Sequence, residues 1–201
     1  MEEKIQRIQA WLKDGSINLF GLPMSGKDTV GLKLSELLGG AFLSSGDIIR
    51  NYEKAKHESM TDQGQLIPTN KFYDIVLPYF SHESLISKPL VLSSIGRWEG
   101  EEDEVMKYAK AAGHEIKAVI YLKLTEDMVR ERWAAAKALG DRGMRGDDAD
   151  PAVFETRIKE FHEKTLPVLK HYDKLGLLFE IDASGTREEV FDSVINCLSM
   201  L

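Results

Sequence analysis

One cysteine, Cys197, stands alone in 201 residues, so neither an intrachain disulfide framework nor a cysteine zinc site can form. A cationic excess is also missing. There are 26 Lys and Arg against 33 Asp and Glu, and the net charge is −7. With a pI near 5.3, this balance argues against a nucleic-acid partner. No apolar run reaches the ~20 residues that a membrane span needs. The opening stretch MEEKIQRIQAWLKDG is charged and amphipathic and does not read as a secretory signal. The five histidines lack metal-ligand spacing and read as structural or surface residues. There is no internal repeat and no low-complexity tract. What is there is 43% hydrophobic and 29% charged, an ordinary globular composition for one domain with small insertions. A monomer in a reducing cytoplasm, with no membrane partner, is the expectation.

Residues 17–29, INLFGLPMSGKDT, carry the strongest signal. An apolar strand delivers the chain into Gly21, Leu22, Pro23, Met24, Ser25, Gly26, Lys27, Asp28 and Thr29, and a helix follows. This is a phosphate-binding loop of the G-x-x-x-x-G-K type. Its backbone N–H groups and the helix N-terminus cradle phosphates while the lysine reaches the β/γ-phosphates. The general pattern places Ser or Thr directly after the lysine, whereas here Asp28 intervenes. The alternative is a glycine-containing strand–helix turn with a stray lysine.

Apolar runs predict strands over 16–20, 41–43, 89–95, 118–124 and 177–181. Helical periodicity predicts helices over 3–13, 27–38, 45–55, 69–80, 99–112, 126–138 and 186–199, and a long one from Pro151. Five strands alternating with helices imply a doubly wound parallel α/β sheet, with ligands at the carboxyl ends of the strands. Those ends are polar or cationic. The first runs into the loop, the second into Ser45-Gly46-Asp47-Ile48-Ile49-Arg50, and the third into Ser93-Ser94-Ile95-Gly96-Arg97. Arginine suits phosphoryl transfer because its planar, permanently charged fork binds phosphate oxygens in pairs.

These pieces together resemble the adenylate kinases and their nucleoside monophosphate kinase relatives. Gly21–Thr29 resembles the family's G-x-P-G-x-G-K-x-T, with Met24 in place of one glycine. Ser45–Arg50 resembles T-G-D-x-x-R, and Gly64-Gln65-Leu66-Ile67-Pro68 resembles G-x-hydrophobic-x-P. Ser93–Arg97 stands where the family has D-G-F-P-R, of which the arginine remains. Arg145-Gly146-Asp147-Asp148 resembles the lid arginine with its x-D-D, and Arg157 the arginine of the next helix.

The resemblance implies a P-loop NTPase fold with a five-stranded parallel sheet wrapped by helices. It implies a core of 1–45, 81–136 and 151–201, an acceptor-binding insertion of about 46–80, and a short zinc-free lid of about 137–150. It implies ATP and a nucleoside monophosphate as partners and Mg2+ as cofactor, with AMP the first acceptor and GMP or a broader range open. Lys27, Arg97, Arg132, Arg145 and Arg157 would be catalytic. Gly21, Pro23, Met24, Ser25, Gly26, Lys27, Asp28, Thr29 and Arg132 would hold ATP. Ser45, Arg50, Gln65, Ile67, Gly96, Arg97 and Glu101 would hold the acceptor. Arg142 could replace Arg145, and Arg130 lies close to Arg132. No residue is expected to bind metal directly.

Two departures matter. Ser93 stands where the family has an aspartate that arranges magnesium through water. Asp28, with Thr29, could supply that carboxylate, or Asp28 could merely start the helix. Glu101 stands where the family reads adenine with glutamine. A carboxylate only accepts hydrogen bonds, which suits guanine, unless Glu101 belongs to a solvated acidic face. Asp147 and Asp148 could orient lid arginines or cap the helix near Pro151. Trp98 could pack in the core or stack on a base. A small-metabolite kinase and a non-catalytic nucleotide-binding module remain the rival readings.

Overall fold

Ser16–Gly21 (β1) is buried at every position, as a strand covered on both faces must be. It lies at the centre of a five-stranded, all-parallel sheet with order β2-β3-β1-β4-β5. The other strands are β2 (Ala41–Ser44), β3 (Leu90–Ser93), β4 (Ile116–Lys123) and β5 (Leu178–Asp182). The computed structural model describes residues 1–57, 59–61, 63–139 and 150–201. Arg142, Arg145, Asp147 and Asp148, with most of the stretch 137–150 expected to be a lid, lie outside these residues.

The helices are α1 (Glu2–Leu12), α2 (Lys27–Leu38), α3 (Ser45–Lys56), α4 (Thr69–Val76), α5 (Glu101–Ala111), α6 (Glu126–Ala138), α7 (Pro151–Glu160), α8 (Leu166–Lys174) and α9 (Arg187–Leu198). Among the described residues none is long and apolar enough to cross a membrane. Side-chain caps fix several starts. Ser44 accepts from the Asp47 amide at α3, Thr125 from Met128 at α6, and Thr186 with Glu189 forms a reciprocal capping box at α9. At α7 the cap is Asp150, whose carboxylate accepts from the Ala152 amide at 2.8 Å. That assigns the capping considered for Asp147 or Asp148 to a different residue.

The strand order locates the binding crevice. The β1-to-β2 connection passes over β3, and the β3-to-β4 connection returns over β1. The two crossovers part between β1 and β3, and an open α/β sheet leaves a crevice outside the carboxyl ends of such a strand pair. Here those ends are Gly21 and Ser93.

Three departures from the sequence expectation have a local reason. The helix expected over 69–80 is α-helical to Val76 and then tightens into a 3-10 turn, Leu77–Ser81. Pro78 cannot donate to the carbonyl one turn back. The long helix from Pro151 contains a π-helical turn, Phe161–Thr165, just before Pro167, which removes one rung of the ladder. β3 stops at Ser93 because Ser94 turns to φ 53°. Helix α1 packs Ile5, Ile8 and Leu12 into the core, and its Lys4 ammonium reaches Asn196 of α9 at 2.5 Å.

Candidate active site

The loop after β1 closes on itself. A side chain at position 21 would collide with the Ser25 side chain and approach the Leu122 carbonyl at 3.0 Å, so only glycine fits. Met24 holds a left-handed φ of 62°, a conformation that costs a non-glycine residue about 1–2 kcal/mol. The Ser25 hydroxyl is buried with no hydrogen-bond partner among the described residues. Lys27 opens α2, with Gly26 at φ 86° before it.

A buried asparagine builds the other wall. Asn18 of β1 donates from Nδ2 to the Ile95 carbonyl at 2.8 Å and accepts the Ile95 amide at 3.3 Å. It thus replaces the strand pairing that ends at Ser93 and fixes the turn that carries Arg97. Gly96, at φ 79°, completes that turn against Val105. Asn18→Ala should cost about 2–4 kcal/mol, since two buried backbone groups lose their partners. It should also raise the half-saturating concentration of whatever Arg97 binds. Denaturant midpoints and ligand titration check both effects.

Asp28 lies in the first turn of α2, where a carboxylate favours the helix dipole, as one of the two expectations had it. The Ser93 hydroxyl donates to its Oδ1 at 2.5 Å, across the crevice between β1 and β3. A carboxylate therefore stands at the end of β3, supplied by the first turn of α2.

Glu101 is not on a solvated face; it is 2% exposed. Its Oε2 accepts the amides of Arg97 at 2.8 Å and Trp98 at 3.1 Å, and its Oε1 accepts the Thr69 hydroxyl at 2.9 Å. Burial raises its pKa above the ordinary carboxylate value, outweighing those donors and the nearby Arg97 charge.

Two clefts flank the loop. One is lined by Gly21, Pro23, Lys27, Asp28, Ser45, Arg50, Gln65, Ile67, Arg97, Trp98, Glu101 and Arg157, among others. The second is lined by Met24 through Val30, Lys33, Arg132, Arg157 and the turn Gly185–Glu188, with others. Lys27, Asp28 and Arg157 line both. Of the expected site residues, Gly96 lines neither cleft and Arg145 lies outside the described residues.

The two neighbouring arginines of α6 separate cleanly. Arg132 donates to the Ala183 carbonyl at 2.7 Å and approaches the Met24 carbonyl at 3.5 Å, bridging the loop to the β5–α9 turn. Arg130 is held by Glu126 and Glu155 instead. Arg50 is held by Asp47, one turn back on α3, at 2.5 Å.

No family model matches the chain. Among curated proteins, the adenylate kinase of Caulobacter vibrioides (strain NA1000 / CB15N) is 30% identical over 186 residues, spanning 90% of this chain and 95% of its own. The adenylate kinase of Schistosoma mansoni is 31% identical over 186 residues, 89% of each chain. The chain belongs to the adenylate kinase family. A third relative, the adenylate kinase of Lachnoclostridium phytofermentans, is 26% identical over 212 residues, covering 90% of this chain and 97% of its own. Membership in the adenylate kinase family makes the chain a phosphotransferase, and the sheet agrees with the P-loop NTPase fold of that family.

Three long-range contacts at this candidate site were invisible to motif reading. The Glu160 carboxylate of α7 accepts the Leu66 amide at 3.0 Å and the Lys164 ammonium at 2.6 Å, so it holds the Gln65–Ile67 segment. Lys164 in turn sits 4.1 Å above the Trp98 ring, and Trp98 is half-buried on the cleft wall. The Ser45 hydroxyl donates to the Ser94 carbonyl at 2.7 Å, which ties the start of α3 to the end of β3. Glu160 and Lys164 are an i,i+4 pair, but the other three join residues far apart in sequence, which no side-chain pattern encodes.

Proposed function

We propose that this chain transfers the γ-phosphoryl group of MgATP to the phosphate of a nucleoside monophosphate, with AMP as acceptor and two ADP as products. The supporting observation is that two clefts share Lys27, Asp28 and Arg157. A donor in one and an acceptor in the other would face each other across a lysine and an arginine. The reading assigns ATP to the cleft of Met24–Thr29 and Arg132, where the Ser25 hydroxyl, without a partner among the described residues, can donate to a phosphate oxygen. It assigns the monophosphate to the cleft of Ser45, Arg50, Gln65, Ile67 and Arg97. An acceptor phosphate oxygen attacks the γ-phosphorus in line, the bond to the β,γ-bridging oxygen breaks, and ADP leaves. No side-chain nucleophile is needed.

In this proposal residues 46–80 are the acceptor-binding insertion and 137–150 the lid, with Arg145 completing the clamp. The remaining segments, 1–45, 81–136 and 151–201, form the core. Closure of the lid over the substrates would exclude water and suppress ATP hydrolysis. A cytoplasmic monomer is part of the same reading.

The residues present suit a magnesium ion. Among the described residues no group of three or more metal-ligating side chains gathers. Magnesium at nucleotide sites takes one or two carboxylates plus substrate phosphates and keeps several waters. Asp28, positioned by Ser93, with Thr29 beside it, offers hard oxygen through such waters. When bound, the ion neutralises charge developing on the phosphates. Asp28→Asn keeps the shape and removes the charge. It should raise the magnesium concentration needed for half-maximal ATP binding by roughly tenfold or more. Adding Ser93→Asp should restore it. Equilibrium ATP binding titrated with magnesium checks this without turnover, and an unchanged titration would end the assignment.

The reading is tested by measuring ADP formed from MgATP with AMP or small alcohol metabolites as acceptor, against a no-acceptor control. AMP-dependent production of two ADP per ATP supports it. Tight ATP binding without acceptor-dependent turnover would favour a binding module. A specific observation, the buried Glu101 carboxylate, favours GMP as a second acceptor.

A further inference from the structure

The acceptor cleft is lined by two chemically distinct sets of residues. Lys27, Arg50, Arg97 and Arg157 bring positive charge, while Ile67, Phe72, Trp98 and Glu101 bring apolar surface with a single carboxylate. That second set suits a flat, partly polar ring. We infer that it reads guanine, so that GMP is an acceptor at least as good as AMP. This inference rests on the kinase reading above.

The Glu101 carboxylate cannot move away to avoid a mismatched ring. It is 2% exposed and accepts two amides on Oε2 and the Thr69 hydroxyl on Oε1. Burial raises its pKa while the three donors aimed at it act the other way, and in its ionised form it has no proton to give. The remaining lone pair on Oε1 and the negative charge can meet only donors.

Guanine presents N1–H and the N2 amino group side by side, and either or both can point at one acceptor. Adenine places its N1 lone pair beside the N6 amino group, so a carboxylate that accepts from N6 also repels N1. Cytosine has the same defect with N3 beside its N4 amino group. Uracil has one N3–H between two carbonyl oxygens, and both would meet negative charge. Trp98 also lines this cleft. The Trp98 Nε1–H is buried and without a partner among the described residues. Guanine carries an acceptor, O6, next to its N1–H, which complements such a donor.

The test compares kcat/KM for GMP and AMP, at saturating MgATP, in the unaltered protein and in Glu101→Gln. Glutamine has the same size, still accepts the Arg97 and Trp98 amides through its oxygen, and gains an N–H that adenine N1 can accept. The unaltered protein should use GMP at least as well as AMP. Glu101→Gln should lower the GMP-to-AMP ratio by roughly tenfold or more. A thermal melt of the variant establishes that it is folded. Equilibrium binding of GMP and AMP to both proteins reads the same ratio without chemistry. If no monophosphate supports turnover, the kinase reading falls, and the binding ratio still decides the base preference. A clear preference for AMP in the unaltered protein, or a ratio unmoved by Glu101→Gln, would overturn the inference.

Discussion

Arg157→Lys should lower kcat by about a thousandfold while moving the KM of either nucleotide by less than roughly tenfold. The argument starts from position. Arg157 lies on α7 and lines both clefts, and in the proposed reading the transferring group passes between them. A metaphosphate-like transition state spreads charge over three equatorial oxygens, and one planar fork can contact two of them at once. An ammonium on a flexible stem keeps the charge and loses that geometry. The loss should therefore fall on the transition state more than on either ground state. The lysine stem also preserves the packing of the arginine methylenes, so stability should change little. Steady-state kinetics in both substrates, with a melting curve, checks the prediction. A rise in KM at unchanged kcat would make Arg157 a ground-state binding residue instead.

Lys27→Met should cost about 10²–10³ in kcat, close to the effect of deleting one preorganised electrostatic donor. Lys27 is the first residue of α2 and also lines both clefts. Methionine matches its length and helix propensity, so the loop should keep its path. What disappears is a positive charge beside the phosphates, at the same helix end that the macrodipole already favours for anions. Because the backbone N–H groups remain, ATP should still bind, more weakly. A variant with unchanged kcat would place the chemistry elsewhere. Equilibrium ATP binding measured beside kcat separates the two contributions.

The chain order of strands and helices was legible because each strand is an apolar run and each α/β unit is local. Boundaries slipped where a single residue acts through geometry rather than pattern. Pro78 and Pro167 alter helix type without ending the helical run, and Ser94 ends β3 inside an apolar stretch by turning left-handed. The loop and the arginines were legible because their meaning lies within a few residues of sequence. The contacts that shape the clefts join distant positions. Asn18 and Ile95 are 77 residues apart, Asp28 and Ser93 65, Leu66 and Glu160 94, and Thr69 and Glu101 32. Nothing in composition or periodicity pairs them. Glu101 shows the difference best. Its acidic neighbours suggest a solvated helix face, and only the packing of α4 and the Arg97 turn against it reveals a buried carboxylate.

The central claim is direct transfer of a phosphoryl group from one cleft to the other across Lys27 and Arg157. The measurement that tests it most directly follows the label from ATP radioactive at its γ-phosphate, with magnesium and a nucleoside monophosphate present. The account predicts that label appears in the β-phosphate of the newly formed diphosphate, that almost none reaches inorganic phosphate, and that omitting the monophosphate stops the reaction. Label released as inorganic phosphate at the same rate with and without the monophosphate would contradict it.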